Sequence, residues 1–136
     1  VFFGGGTPSL FAADSLARVL GWLRDRALLA EDAEVTLEAN PGTVERGRFS
    51  DYRAAGVNRV SLGVQSFDPS RLEQLGRIHG VREIDDALEE LGRSGLTNFN
   101  IDLMFGLPGQ DADAACADLA AALSCSTSIT RCQSEV

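Results

Sequence analysis

The sequence predicts an α/β protein of about four parallel βα units, forming either an open doubly wound sheet or a piece of a barrel. Two observations predict it. Short apolar runs alternate with stretches whose apolar residues recur at helical spacing, in the order strand, helix, strand, helix. Each of the four apolar runs also carries a glycine or polar residue at or near its C-terminal end. Four strands are too few to close an eight-stranded barrel.

The elements follow in order. Residues 1–3, "VFF", form the end of a short strand, which runs directly into Gly4, Gly5 and Gly6. Over 14–29, Leu16, Val19, Leu20, Leu23 and Ala27 lie on one stripe of a helix and are expected to be buried together. "AEVTLEANPG" is a strand stopped by Pro41 and Gly42. "TVERGRFSDYRAAG" is a helix, with Thr43 as N-cap and Gly56 as its stop. "NRVSLGVQSF", rich in apolar and β-branched residues, is the third strand. Asp68 before Pro69 opens a further helix as cap and first-turn proline. Ile84, Ala87, Leu88 and Leu91 mark another, ending at Gly95. "FNIDLMFGLPG" is the fourth strand, and 111–123 is an alanine-rich helix. The organised domain is expected to span 1–123, with 124–136, rich in Ser, Thr and Cys, an irregular tail and a non-native end.

Composition excludes several functions. A net charge of −8 disfavours a nucleic-acid surface, which needs clustered Lys and Arg. No apolar run has the length of a membrane span, and no signal peptide is visible. Three cysteines without an export signal fit a reducing cytoplasm better than a disulfide framework. The glycines are not a P-loop, because no lysine follows them, and Ser9 stands where a dinucleotide fingerprint needs its third glycine.

The strand-end residues are the candidate site: the glycines and Thr7 after the first strand, Glu38 in the second, Gln65 at the third and Asp102 in the fourth. Barrel enzymes build their sites from the C-terminal ends of several strands. Each residue also has a structural alternative. Glu38 at a strand end can point to water, Gln65 can satisfy a backbone group, and the glycines can make a tight turn. Asp102, between Ile101 and Leu103, is expected to be buried and to need a backbone N–H or an arginine as donor. Three consecutive glycines exceed what a turn requires, and bare N–H groups suit an anionic or polar ligand.

Five collinear motifs, "GGGTPS", "LEANPGTV", "GVQSFD", "LGRIH" and "NIDLMFGLPGQ", resemble the radical S-adenosylmethionine family of oxygen-independent coproporphyrinogen III oxidases. The wording "ANPGTV" with "QSF" and "GRIH" is most similar to its heme-chaperone branch. The resemblance covers residues 1–123 and implies a partial (βα) barrel of the radical SAM type. It implies that Gly5, Gly6 and Thr7 meet the methionyl part of S-adenosylmethionine, and that Glu38, Gln65, Arg77 and Asp102 complete the cofactor site. It further implies heme or a porphyrin as a second ligand and a heme-acceptor protein as partner. The family's [4Fe–4S] cluster is held by a cysteine triplet on a loop that would precede Val1, so no metal ligand is expected in this chain and the sequence is expected to be a fragment. Three readings remain: a heme chaperone, an enzyme that oxidatively decarboxylates coproporphyrinogen through a 5′-deoxyadenosyl radical, and an inactive truncated product.

The remaining residues have structural readings. Cys116 is expected in the core, and Cys125 and Cys132 lack a cluster spacing. His79 is expected in a solvated loop, with a heme or substrate contact as the alternative. Trp22 and Tyr52 are expected to pack on helices, and Glu89 and Glu90 to form a solvated face.

Overall fold

The computed structural model describes residues 1–43 and 48–134, with side chains described as far as Cys125. Strands β1 (Phe2–Phe3), β2 (Thr36–Ala39), β3 (Arg59–Gln65) and β4 (Phe99–Leu103) form one sheet in the order β1-β2-β3-β4. Every neighbouring pair is parallel. The helices are α1 (Ala13–Asp25), α2 (Arg48–Ala55), α3 (Pro69–Gln74), α4 (Val81–Ser94) and α5 (Ala112–Ser134). Short 3-10 turns at Pro8–Leu10 and Pro41–Thr43 follow β1 and β2. The expected α/β order is therefore present, strand for strand.

Register divides the sheet into two unlike faces. Leu37 pairs with Val60, Val60 with Phe99, and Leu62 with Ile101. These residues, with Val35, Ala39 and Val64, pack with Leu16 and Leu20 of α1, Phe49 and Tyr52 of α2, and Ile84, Leu88 and Leu91 of α4 in one core. That face carries the hydrophobic stabilisation. The intervening residues Thr36, Glu38, Arg59, Ser61, Asn100 and Asp102 have the opposite parity, because successive strand residues point to opposite faces. The second face is therefore lined by polar residues.

Several ends follow local chemistry. The Asp68 carboxylate accepts from the N–H groups of Ser70 and Arg71, with Pro69 at the first helical position of α3. Gly95 ends α4 as expected. The stripe of α1 is shorter than expected: Leu16 and Leu20 are buried, Val19 is exposed, and the helix ends before Ala27. The start of α2 proposed at Thr43 adjoins 44–47, outside the described residues; Thr43 itself closes a turn through its N–H and hydroxyl on Asn40 O. Helix α5 runs on to Ser134, correcting the irregular tail expected after residue 123, since no glycine or proline interrupts it. Among the described residues, no helix is long and apolar enough to cross a membrane.

Candidate cofactor-binding site

The glycine turn meets β2 directly. Gly5 and Gly6 have φ of +84° and +62°, a region that side-chain-bearing residues rarely adopt, and nothing lies within 4 Å of where a Cβ would stand on either. The Gly5 N–H donates to Glu38 Oε2 at 3.0 Å, so Glu38 turns to the glycines and not simply to water. Thr7 stands apart: its carbonyl accepts from Leu10 N–H at 3.1 Å, and its side chain makes no cap bond.

Glu38 pairs in register with Ser61 of β3, and Ser61 pairs with Asn100 of β4. Ser61 Oγ donates to Asp102 Oδ2 at 2.7 Å, while Asn100 Nδ2 donates to Ser61 Oγ at 2.9 Å and to Asp102 Oδ1 at 2.5 Å. Asp102 was expected to be buried and to need a donor such as a backbone N–H or an arginine; it is half-buried, and its donors are a hydroxyl and an amide. Arginine enters one step removed, because Arg59 donates to Asn100 Oδ1. Arg59 also donates to Thr36 Oγ1 at 3.4 Å and lies 3.9 Å from Glu34 Oε2. A continuous polar ladder thus crosses three strands on the face away from the helices.

Arg77 reaches Asn40, and the Asn40 and Gln65 side chains both border Gly63. A Cβ on Gly63 would stand 3.0 Å from Gln65 Nε2 and 3.2 Å from Asn40 Oδ1, so a side chain there would push both amide ends aside. Arg77 Nη1 donates to Asn40 Oδ1 at 3.4 Å. Gln65 has a φ of +74°, unusual for a residue with a side chain, beside an irregularity in the β3–β4 pairing. Its carbonyl accepts from Met104 N–H at 2.8 Å. Gly5, Gly6, Glu38, Gln65, Arg77 and Asp102 therefore fall into three small groups at strand ends, while Thr7 joins none through its side chain. Asn40, Ser61, Asn100 and Arg59 are the partners within these groups and were missed; polar residues at alternate strand positions were the available signal.

Other expectations need correction. His79 is only 3% exposed, wedged against Gly42 with Nε2 3.3 Å from Val64 O, and is not a solvated loop residue. Burial pushes its pKa below the usual 6.5, against the raising effect of the Val64 carbonyl, and Arg77 lowers it further. Trp22 is 52% exposed on α1, with the Arg26 guanidinium 4.1 Å from its ring centroid. Glu90 is 7% exposed and not solvated, since it shares the α4 face of Ala87 and Leu91. Cys116 is exposed and not a core residue, while Cys125 packs against the core and burial raises its pKa. The Cys132 side chain lies outside the described residues. Among the described residues, no three His, Cys, Asp or Glu side chains are placed to hold a metal ion.

Parallel βα units with helices on one face and polar residues on the other define a barrel-type α/β domain. The family model described as the Radical SAM superfamily matches residues 1–120, and the chain belongs to that superfamily. Its relatives narrow the likeness. The chain is 52% identical over 123 residues to the heme chaperone HemW of Escherichia coli (strain K12), covering 90% of this chain and 32% of that protein. It is 47% identical over 110 residues to the mitochondrial radical S-adenosyl methionine domain-containing protein 1 of Bos taurus, covering 81% of this chain and 25% of that one. Among solved structures, coproporphyrinogen III oxidase (HemN) of Escherichia coli, a radical SAM enzyme, matches with a TM-score of 0.79 and 31% identity over 91% of this chain and 29% of its own. The chain spans about a third of the length of the curated HemW relatives from Escherichia coli and Haemophilus influenzae. The resemblance drawn from the five motifs is borne out.

Proposed function

We propose that the chain supplies part of the S-adenosylmethionine site of a cytoplasmic, heme-handling radical SAM protein of the heme-chaperone kind. The observation that carries this reading is the meeting of bare glycine backbone with the Glu38 carboxylate at the strand ends. The donor set suits the ligand. Backbone N–H groups at Gly6 and Thr7, that of Gly5 on release from Glu38, and the Arg77 guanidinium suit a carboxylate, and Glu38 suits an ammonium group. Gln65 and Asp102 offer an amide and a carboxylate to ribose hydroxyls and a sulfonium. When bound, the cofactor supplies a sulfonium that can be cleaved by one-electron reduction. The residues of this chain orient it and leave a polar face beside it.

Among the described residues the chain does not fit the family's [4Fe–4S] cluster: Cys116 is exposed and Cys125 half-buried, nine positions apart on α5, and no three His, Cys, Asp or Glu side chains converge. In this reading the cluster's thiolates come from other parts of a longer protein, as the greater length of the relatives allows. Heme, and a protein that accepts it, are the further ligand and partner in the same reading, supported by the names of the HemW relatives.

Calorimetric titration with S-adenosylmethionine tests the site. Measurable binding is expected, weakened about tenfold, or about 1.4 kcal/mol, by Glu38→Gln and by Asp102→Asn. Binding indifferent to both substitutions would overturn the assignment. The structural likeness to HemN favours a second reading, oxidative decarboxylation of coproporphyrinogen. Carbon dioxide release from coproporphyrinogen by the full-length protein would establish it, and stable heme binding without turnover would support the chaperone. The third reading, an inactive truncated product, requires that this chain bind no cofactor at all.

A further inference from the structure

The most heavily bonded buried carboxylate among the hydrogen bonds described lies outside the site. Asp118, on α5, is 5% exposed. Its Oδ1 and Oδ2 accept from Ser66 Oγ at 3.1 and 3.0 Å, Oδ1 accepts from Phe67 N–H at 2.8 Å, and Oδ2 accepts from Gln110 Nε2 at 3.4 Å. Ser66 is fully buried and its Oγ also accepts from Asp68 N–H at 3.1 Å, at the cap of α3. Gln110 Oε1 in turn accepts from Leu107 N–H at 3.3 Å. One carboxylate therefore ties the turn after β3 to the turn after β4.

We infer that Asp118 is a positioning residue, clamping Ser66 and Phe67 so that Gln65 keeps its left-handed backbone and its side chain stays beside Asn40; its bearing on ligand binding rests on the proposed cofactor site. The need for a clamp comes from Gln65 itself. A non-glycine residue at φ +74° persists only where its surroundings over-determine it. Two restraints are visible: Met104 N–H on the Gln65 carbonyl, and the Asp118 bonds to the next two residues. Asp118 itself acts at a distance, through the backbone it holds. A carboxylate suits the task because it accepts several bonds at once, whereas asparagine presents a donor to one of the same N–H or O–H partners.

The test uses the 136-residue chain, Asp118→Asn, Gln65→Ala and the double variant. Amide hydrogen exchange is followed at Phe67 and Met104, and S-adenosylmethionine affinity by calorimetry. In Asp118→Asn, protection should fall by about tenfold at both amides while the core strands keep theirs. Affinity should fall by about tenfold, and the same substitution should have no further effect once residue 65 is alanine. Equal affinity losses in both backgrounds, or protection lost evenly throughout the sheet, would mean a merely structural role and overturn the proposal. So would unchanged protection at Met104. If the unsubstituted chain shows no affinity, the cofactor site fails instead, and exchange at Met104 alone decides the clamp. Should Asp118→Asn not fold, Ser66→Ala removes the bridging hydroxyl and carries the same expectations.

Discussion

The Gly5 N–H donates to Glu38 Oε2 at 3.0 Å, joining the turn after β1 to the end of β2 across 33 residues of sequence. Two neighbouring glycines should respond differently to a methyl group. A Cβ on Gly5 meets nothing within 4 Å, so Gly5→Ala adds only backbone strain at φ +84° and should cost about 1 kcal/mol in a urea titration. A Cβ on Gly4 would stand 2.5 Å from a Phe2 ring carbon and 3.0 Å from Glu38 Oε2. Gly4→Ala should therefore displace the carboxylate and weaken cofactor binding more than Gly5→Ala does. Equal effects on binding would show that Glu38 does not depend on this approach.

His79 predicts a pH dependence. Burial favours its neutral form, so the folded pKa lies below the usual 6.5. Above 6.5 the histidine is neutral in both folded and unfolded chains, and its contribution is flat. As pH falls below 6.5 the unfolded chain takes up the proton first, so stability is lost progressively towards the lower, folded pKa. Urea midpoints from pH 7.5 down to pH 5, compared with those of His79→Gln, should show this slope in the parent and a shallower one in the variant. Parallel curves would contradict it.

Tyr52 tests the anchoring of the first turn. Its buried hydroxyl donates towards Ser9 O at 2.5 Å and Phe11 O at 3.1 Å, linking α2 to the segment after the glycines. Tyr52→Phe keeps the ring in the core but removes this donor, and should cost about 0.5–1.5 kcal/mol. Proteolysis should then begin near residues 7–12. A loss below the error of the denaturation curve would show that water replaces the hydroxyl.

Metal loading gives a fourth expectation. Anaerobic treatment of this chain with iron and sulfide should leave no stoichiometric [4Fe–4S] cluster after desalting, read from the thiolate-to-iron absorbance band. The chain's three cysteines, Cys116, Cys125 and Cys132, lie nine and seven positions apart along α5, without the close spacing of a cluster motif. A cluster that survives desalting would contradict the assignment of its ligands elsewhere.

Elements and strand ends were legible in the sequence because their causes are local. Alternating patterns, Asp68 before Pro69, and Gly95 after Leu91 each act within a few residues of where they stand. The candidate positions were legible for the same reason, since parallel βα order puts every strand's C-terminal end on one rim. Even the polar face was present as period-two alternation in "TLEA", "RVSLGVQ" and "FNIDL". What those residues do to one another was not. Ser61 and Asn100 became the partners of Asp102 only when register set β3 beside β4, and Asn40 joined Arg77 only when the loop after α3 folded back on β2. Burial was likewise decided by packing: His79 and Glu90 read as solvated because both are polar, yet neighbours distant in sequence cover them. Asp118 shows the limit most plainly, since its partners at Ser66 and Phe67 lie more than fifty residues away. Local chemistry writes the elements and their ends; contacts between distant residues arise only when the chain closes on itself, and those contacts give each polar group its partner.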